Sequence, residues 1–184
     1  MIDRLPVLVR FAAGLALASA AAAASGGTDI EGFFRVNDAV STGGQPSTAQ
    51  LAALKAEGFR AVINLREPGE HEAAAEEAAA RDLGLVYVNI PVRTAEPRPE
   101  QVDAFLRVAA DPSIYPAFLH CASGNRVGAF WMIRRVLVDG WTPACAEKEA
   151  LKIGLKSASL RAFALEYIAA HPRKGSETPC SEGS

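Results

Sequence analysis

The hydrophobic positions of this chain fall into short, nearly continuous apolar runs separated by stretches with helical spacing. Phe59–Leu65 (FRAVINL), Leu85–Ile90 (LVYVNI) and Pro116–His120 (PAFLH) are of strand length and bounded by glycine or proline. Phe33–Val36 and Val40–Thr42 read as two shorter strands around an Asn37-Asp38 turn. Between the runs the spacing predicts helices over 48–57, 70–83, 100–111, 127–139, 143–152 and 159–171. Their ends carry the expected chemistry. Ser47 or Thr48 caps the first helix, and Thr142 caps the fifth with Pro143 at its first position. Gly58 and Gly84 close the first two helices.

Alternation of buried strands with helices predicts a single α/β domain over residues 33–173, with a mostly parallel sheet of about four to five strands flanked by helices. In such sheets functional groups gather beyond the carboxyl ends of the strands. Three runs deliver a residue of interest there: Arg66 after Leu65, Arg93 after Pro91-Val92, and Cys121 after His120.

The N-terminus adds a compartment. Arg4 and Arg10 precede an uncharged, Ala-rich run from Phe11 to Ala24 that ends in small residues. This pattern predicts a cleavable secretory signal over residues 1–24, with Ser25 as the mature start. The run is too short and too rich in alanine for an anchor, and no later segment approaches the ~18 apolar residues of a transmembrane helix. A periplasmic or secreted protein is expected, with no membrane association after cleavage. Residues 25–32 read as a flexible lead-in and residues 174–184 as a polar tail.

Cleavage removes two arginines and one aspartate from a chain of net charge −2, leaving it near −3. About 160 residues remain, enough for one proper core. There is no basic run and no aromatic stacking platform, so nucleic acid is not an expected partner and any anion site must be local. His71 and His171 have no cysteine or carboxylate at ligand spacing, so neither a metal nor another cofactor is expected. Three cysteines are an odd count for an oxidising compartment. Either Cys145 pairs with Cys180 and leaves Cys121 free, or Cys145 is a small buried residue and Cys180 is unpaired.

The candidate chemistry lies in Phe118–Gly128, FLHCASGNRVG. A strand ends in Cys121, the loop Ala122-Ser123-Gly124-Asn125 follows, and Arg126 and Val127 open an apolar helix. Loop amides and a helix N-terminus together form a cradle for an anion, and the same field favours a thiolate at Cys121. Gly124 permits a loop conformation that a side chain would obstruct. Arg126 supplies a planar fork for two oxygens of one oxyanion. A thiolate in such a cradle is a nucleophile aimed at phosphorus or sulfur. Phe130, Trp131, Ile133, Val136 and Leu137 make the following helix apolar on most of its surface, as expected of a central buried helix.

The loop resembles the active-site loop of cysteine-based dual-specificity phosphatases, and equally that of rhodaneses. Four segments in order narrow the resemblance: GGQPS (43–47), AVINLR (61–66), VNIPV (88–92) and HCASGNR (120–126). Together they resemble the phosphatase-like domain associated with beta-lactamase-hydrolase-like proteins, over roughly residues 33–138. The resemblance implies a cysteine-phosphatase-like fold with Cys121 as nucleophile and Arg126 as oxyanion ligand. It also brings Gln45 toward the site.

Departures from the phosphatase pattern bear on the reaction. Phosphatases of this type place five residues between Cys and Arg; here there are four, as in rhodaneses. Val127 stands where a hydroxyl residue usually follows the arginine. The loop that normally carries an aspartic general acid reads Val92-Arg93-Thr94-Ala95-Glu96-Pro97, with Glu96 its only acid and Asp103 in the next helix. General acid catalysis contributes about 10²–10⁴-fold. Sulfur transfer through a Cys121 persulfide needs no such acid and is slightly favoured on this reading. Phosphoester hydrolysis through a phosphocysteine is the alternative, and a non-catalytic anion-binding module is the third. The expected partners are a small anionic substrate (persulfide, thiosulfate or phosphoester) and a thiol acceptor or reducing partner. His120 is expected to orient the loop by a hydrogen bond, or simply to pack at the strand end. Arg66 and Arg93 are supporting cations or solvated loop residues.

Overall fold

A computed structural model describes residues 29–70 and 72–172. The predicted signal segment, the first half of the lead-in (25–28), His71, Cys180 and the polar tail lie outside the described residues.

The apolar runs become a five-stranded sheet: β1 (Phe34–Arg35), β2 (Val40–Gly43), β3 (Ala61–Asn64), β4 (Val86–Asn89) and β5 (Ala117–His120), in the order β1-β2-β5-β3-β4. Only β1 is antiparallel to its neighbour; β2, β5, β3 and β4 run parallel. Every residue of β2, β3 and β5 is buried, as strands covered on both faces require. The sheet is therefore mostly parallel, as the runs predict, and the central strand β5 is the one that ends at Cys121.

Among the described residues there are six α-helices: α1 (Thr48–Ala56), α2 (Ala73–Asp82), α3 (Pro99–Ala109), α4 (Asn125–Leu137), α5 (Pro143–Ile153) and α6 (Ala158–Ala170), the last two packed on α4. Ser47 caps α1 in a reciprocal capping box with Gln50, and Thr142 caps α5 through the Cys145 amide. Leu51, Leu54, Phe59, Val62, Leu85 and Phe118 form one core beneath α1 and α2. A larger core on the other face is centred on α4, with Phe130 edge-on to Phe105 and Trp131 fully buried. Trp141 and Phe163 pack against it.

One helix starts later than its sequence suggests. Residues 68–70 form a 3-10 turn, and α2 begins only at Ala73. The acidic residues of that segment look like a favourable first helical turn, but Glu70 is held by arginines on other elements, described below. A tertiary ion pair has overridden a local preference.

Candidate active site

The Cys121 loop is built between two elements. On one side Ser123 pairs with Gly44 in an isolated β-bridge, so the Gly43-Gly44-Gln45 turn after β2 walls the loop. On the other side the α5–α6 connection braces it. Asn125 Oδ1 accepts from the amides of Lys156 and Ser157 at 3.0 and 3.1 Å. Gly124, at φ +80°, backs directly onto Gly154, at φ +128°. A Cβ on Gly124 would come within 2.2 Å of the Ile153 carbonyl oxygen, and one on Gly154 within 2.7 Å of the Ser123 carbonyl oxygen. Both positions need glycine for conformation and for space. Helix α4 starts immediately after Gly124 and points its N-terminus at the loop, where first-turn amides lack intrahelical partners.

Cys121 is a free thiol, 1% exposed, and Arg126 is 3% exposed. The guanidinium does not stand open as a fork for an incoming anion. Its Nη1 and Nη2 donate to the two carboxylate oxygens of Glu70 at 2.5 and 2.8 Å, and Nη1 also donates to the Val92 carbonyl at 2.8 Å. Three of its five N–H groups are thereby committed. The Nε–H and the second Nη2–H, which form the other two-pronged edge, are not taken by these partners. Burial works against the Arg126 charge, but the Glu70 hydrogen bonds and the nearby Cys121 and Glu70 charges outweigh it and hold the group above its ordinary range. The Arg126 hydrogen bond likewise pulls Glu70 down to about 2, against a burial penalty and with help from the Glu67 amide and the Arg126 and Arg66 charges.

Arg66 joins the same network. Its Nη1 donates to Gln45 Oε1 at 2.9 Å, its Nη2 to the Glu70 carbonyl at 2.6 Å, and its Nε lies 3.5 Å from Glu70 Oε2. Two asparagines fix its backbone: Asn64 Oδ1 accepts from the Arg66 amide at 2.7 Å, and Asn89 Nδ2 donates to the Arg66 carbonyl at 2.9 Å. Arg66 and Gln45 thus converge on Glu70 and, through it, on Arg126. Arg93 stays on the rim, well exposed, with Nε 3.4 Å from Glu67 and Nη1 3.7 Å from Glu96. It is the backbone of its neighbour Val92 that reaches Arg126. Glu96 is 73% exposed. Asp103 accepts from the Tyr167 hydroxyl at 2.5 Å, in the contact between α3 and α6.

His120 does not make the loop-orienting hydrogen bond expected of it; among the described residues its ring nitrogens have no hydrogen-bond partner, and its one charged neighbour is a carboxylate. Its ring lies on the α1–α2 side of the sheet, stacked on Phe118, and Nε2 lies 2.8 Å from Glu76 Oε1 of α2. Both side chains are buried. Glu76 Oε2 accepts from Asn64 Nδ2 at 3.0 Å and from the Tyr87 hydroxyl at 3.3 Å. Burial foremost, with the Glu76 charge contributing, pushes Tyr87 up to about 12, so it remains a neutral donor. A buried polar network thus ties the residue before the nucleophile to β3, β4 and α2. Sequence reading missed Glu70, Glu76, Asn64 and Tyr87, because neither spacing nor composition marks a residue whose partner is distant in sequence. The small cleft of about 270 Å³ beside the site is lined by Glu67, Pro91, Arg93, Glu96, Arg98 and Gln101. Among the described residues, no group of three or more His, Cys, Asp or Glu side chains is placed to hold a metal ion.

A parallel sheet whose central strand ends in a buried cysteine, followed by a glycine-gated loop and a helix that begins with a clamped arginine, defines the cysteine-phosphatase-like class. The chain belongs to the family described as DSP-PTPase phosphatase fused to NAD+ kinase, which matches residues 23–159. Among curated proteins it is 33% identical over 110 residues to a beta-lactamase hydrolase-like protein of Agrobacterium fabrum, and over 109 residues to one of Xylella fastidiosa. Those matches cover 58% and 57% of this chain, which spans 25% of the length of each of these relatives. Solved structures share the fold. A candidate phosphatase (DUF442) from Shewanella putrefaciens CN-32 superposes with a TM-score of 0.68 at 23% identity, covering 78% of this chain and 93% of that one. The core catalytic domain of the PP-IP phosphatase SIW14 from S. cerevisiae gives 0.64 at 15%, covering 75% and 86%. TpbA of P. aeruginosa gives 0.61 at 19%, covering 77% and 86%.

Proposed function

We propose that this protein is a cysteine-dependent phosphatase that works through a phosphocysteine at Cys121. The observation that carries this reading is the buried Arg126 guanidinium, oriented by Glu70 and Val92 with its other two-pronged edge not taken by them, in a chain of the DSP-PTPase family. In the first step the Cys121 sulfur attacks phosphorus and the bond to the leaving oxygen breaks. Arg126, the loop amides of residues 122–126 and the α4 N-terminus bear the charge on the non-bridging oxygens. In the second step water attacks the phosphocysteine, releasing inorganic phosphate and restoring the thiolate. Hydrolysis of p-nitrophenyl phosphate by the wild type and not by Cys121→Ser supports the reading; equal rates for the two proteins overturn it.

Rhodanese-like sulfur transfer remains the second reading. It is favoured by the four-residue loop and by Val127, which supplies no hydroxyl to help the thiolate leave. Its signature is a gain of one sulfur on Cys121 after incubation with thiosulfate, released by cyanide and absent from Cys121→Ser. The fold neighbours are phosphatases and the family is named for that activity, so phosphoryl transfer takes precedence. We place the reaction outside the cytoplasm, on the Ala-rich N-terminal signal. The substrate is a small anion, and a reducing thiol partner keeps Cys121 active.

A further inference from the structure

The carboxylates at the carboxyl edge of the sheet share a property that bears on which substrates this site accepts. Glu70 lies across the Arg126 guanidinium, with both oxygens engaged, and is also 3.5 Å from Arg66. Glu67 and Glu96 both face Arg93. Asp103 is taken by Tyr167 at the α3–α6 contact. Glu76 faces His120 on the opposite side of the sheet from the larger core that contains Cys121. A general acid working near neutrality needs a carboxyl whose proton is retained, by burial in apolar surroundings or by a neighbouring like charge. Among the described residues the rim acids each lie against a guanidinium, Glu67 and Glu96 against Arg93 and Glu70 against Arg126, and Glu70 is held down to about 2.

Resting on the phosphatase reading, we propose that this enzyme cleaves phosphoryl compounds whose leaving group departs as a stable anion, namely aryl phosphates, acyl phosphates and phosphoanhydrides, in preference to alkyl phosphate esters. The Cys121 sulfur contributes an electron pair to phosphorus while the pair of the breaking P–O bond leaves on the departing oxygen. No proton is delivered to that oxygen, so its basicity enters the barrier in full. Water then attacks the phosphocysteine, the S–P bond breaks, and the thiolate and phosphate are regenerated, with the proton of water passing to solvent. An enzyme with a working acid hides the basicity of its leaving groups; this one exposes it.

The test is a leaving-group series at neutral pH with p-nitrophenyl phosphate, phenyl phosphate and glycerol phosphate, each run beside Cys121→Ser. The expected result is Cys121-dependent turnover whose kcat/KM falls from the nitrophenyl to the alkyl ester by about 10²–10⁴-fold more than in a phosphatase with a general acid. In the pH profile for p-nitrophenyl phosphate, no basic limb should belong to an enzyme acid. Cys121-dependent cleavage of all three at rates within about tenfold would show that some group protonates the leaving oxygen, and would overturn the substrate class while leaving the phosphatase reading intact. Absence of Cys121-dependent release from any of them would remove the phosphatase reading and the substrate class with it.

Discussion

At the scale of single residues, Arg126 has a shape requirement as well as a charge requirement. It must grip Glu70 and Val92 along one side and still present a second two-pronged edge. Lysine keeps the charge and loses both edges. Arg126→Lys is therefore expected to lower phosphatase kcat by about 10²–10³-fold, the cost of removing one oxyanion-stabilising donor; a variant near wild type would mean the guanidinium is structural. Glu70 carries a pH signature. Its folded-state carboxyl is depressed from 4.5 to about 2, so its pairing stabilises fully above about pH 4.5 and is lost as pH falls toward about 2. Thermal melts across that window should show a shallower acid loss for Glu70→Gln than for the wild type, and identical slopes would refute the assignment. Glu76 acts one layer deeper. Glu76→Gln keeps an oxygen for Asn64 and Tyr87 but removes the anion beside His120. It is expected to cost about 1–3 kcal/mol in urea unfolding and to slow alkylation of Cys121 by iodoacetamide at neutral pH. A loss of stability with an unchanged alkylation rate would make the network structural only. Cys121 and Arg126 were legible in the sequence because their chemistry is local, set by one loop. Glu70 and Glu76 were not, because what singles each out is a partner more than forty residues away, Arg126 in one case and His120 in the other.

At the scale of elements, the loop's shape is imposed from outside as much as from within. Gly124 was readable as a permissive residue in a tight turn. That it interlocks with Gly154 was not, since the α5–α6 connection reads only as a break between two helices. Gly124→Ala would put a side chain at φ +80° and drive its Cβ to 2.2 Å from a backbone oxygen. Positive φ alone costs about 1–3 kcal/mol for a non-glycine residue, and the clash adds to it. Gly154→Ala has a milder clash, 2.7 Å, at a position outside the loop itself. The expected order is a large drop in Tm with loss of activity for Gly124→Ala, and a smaller drop in Tm for Gly154→Ala with kcat still reduced, because the Ser123 carbonyl must move. Wild-type kcat in Gly154→Ala would show that the brace does not shape the loop. The late start of α2 belongs to this scale too. Glu70 and Glu72 suit a helical first turn, but holding Glu70 on Arg126 keeps residues 68–70 in a tight turn and delays the helix to Ala73.

At the scale of the whole molecule, the α/β class and the parallel sheet were legible because strands covered on both faces are nearly continuous in apolar residues, and β3 and β5 are, up to Asn64 and His120 at their carboxyl ends. The strand order was not, since the position of β5 between β2 and β3 depends on crossovers that leave no local mark. That order sets the chemistry, because it puts the nucleophile's strand in the middle, with the Gln45 turn on one side and Arg66 on the other. The cysteines show a similar division of labour. Cys121 is a free thiol at the site, whereas Cys145, at the far end of α5 from the loop, is disulfide-bonded. Its expected partner Cys180 lies outside the described residues. A disulfide at Cys145 typically stabilises by about 2–4 kcal/mol, and such bonds persist chiefly in oxidising compartments. Protein purified without reductant should therefore take up one iodoacetamide group when native, mapped to Cys121. It should take up no more when unfolded without reductant, and one on each of its three cysteines when unfolded after reduction. Three adducts without reduction would rule out the disulfide and remove one support for an extracytoplasmic site. One adduct that mapped to Cys145 or Cys180 would instead place Cys121 in a bond, and so deny it the role of resting nucleophile.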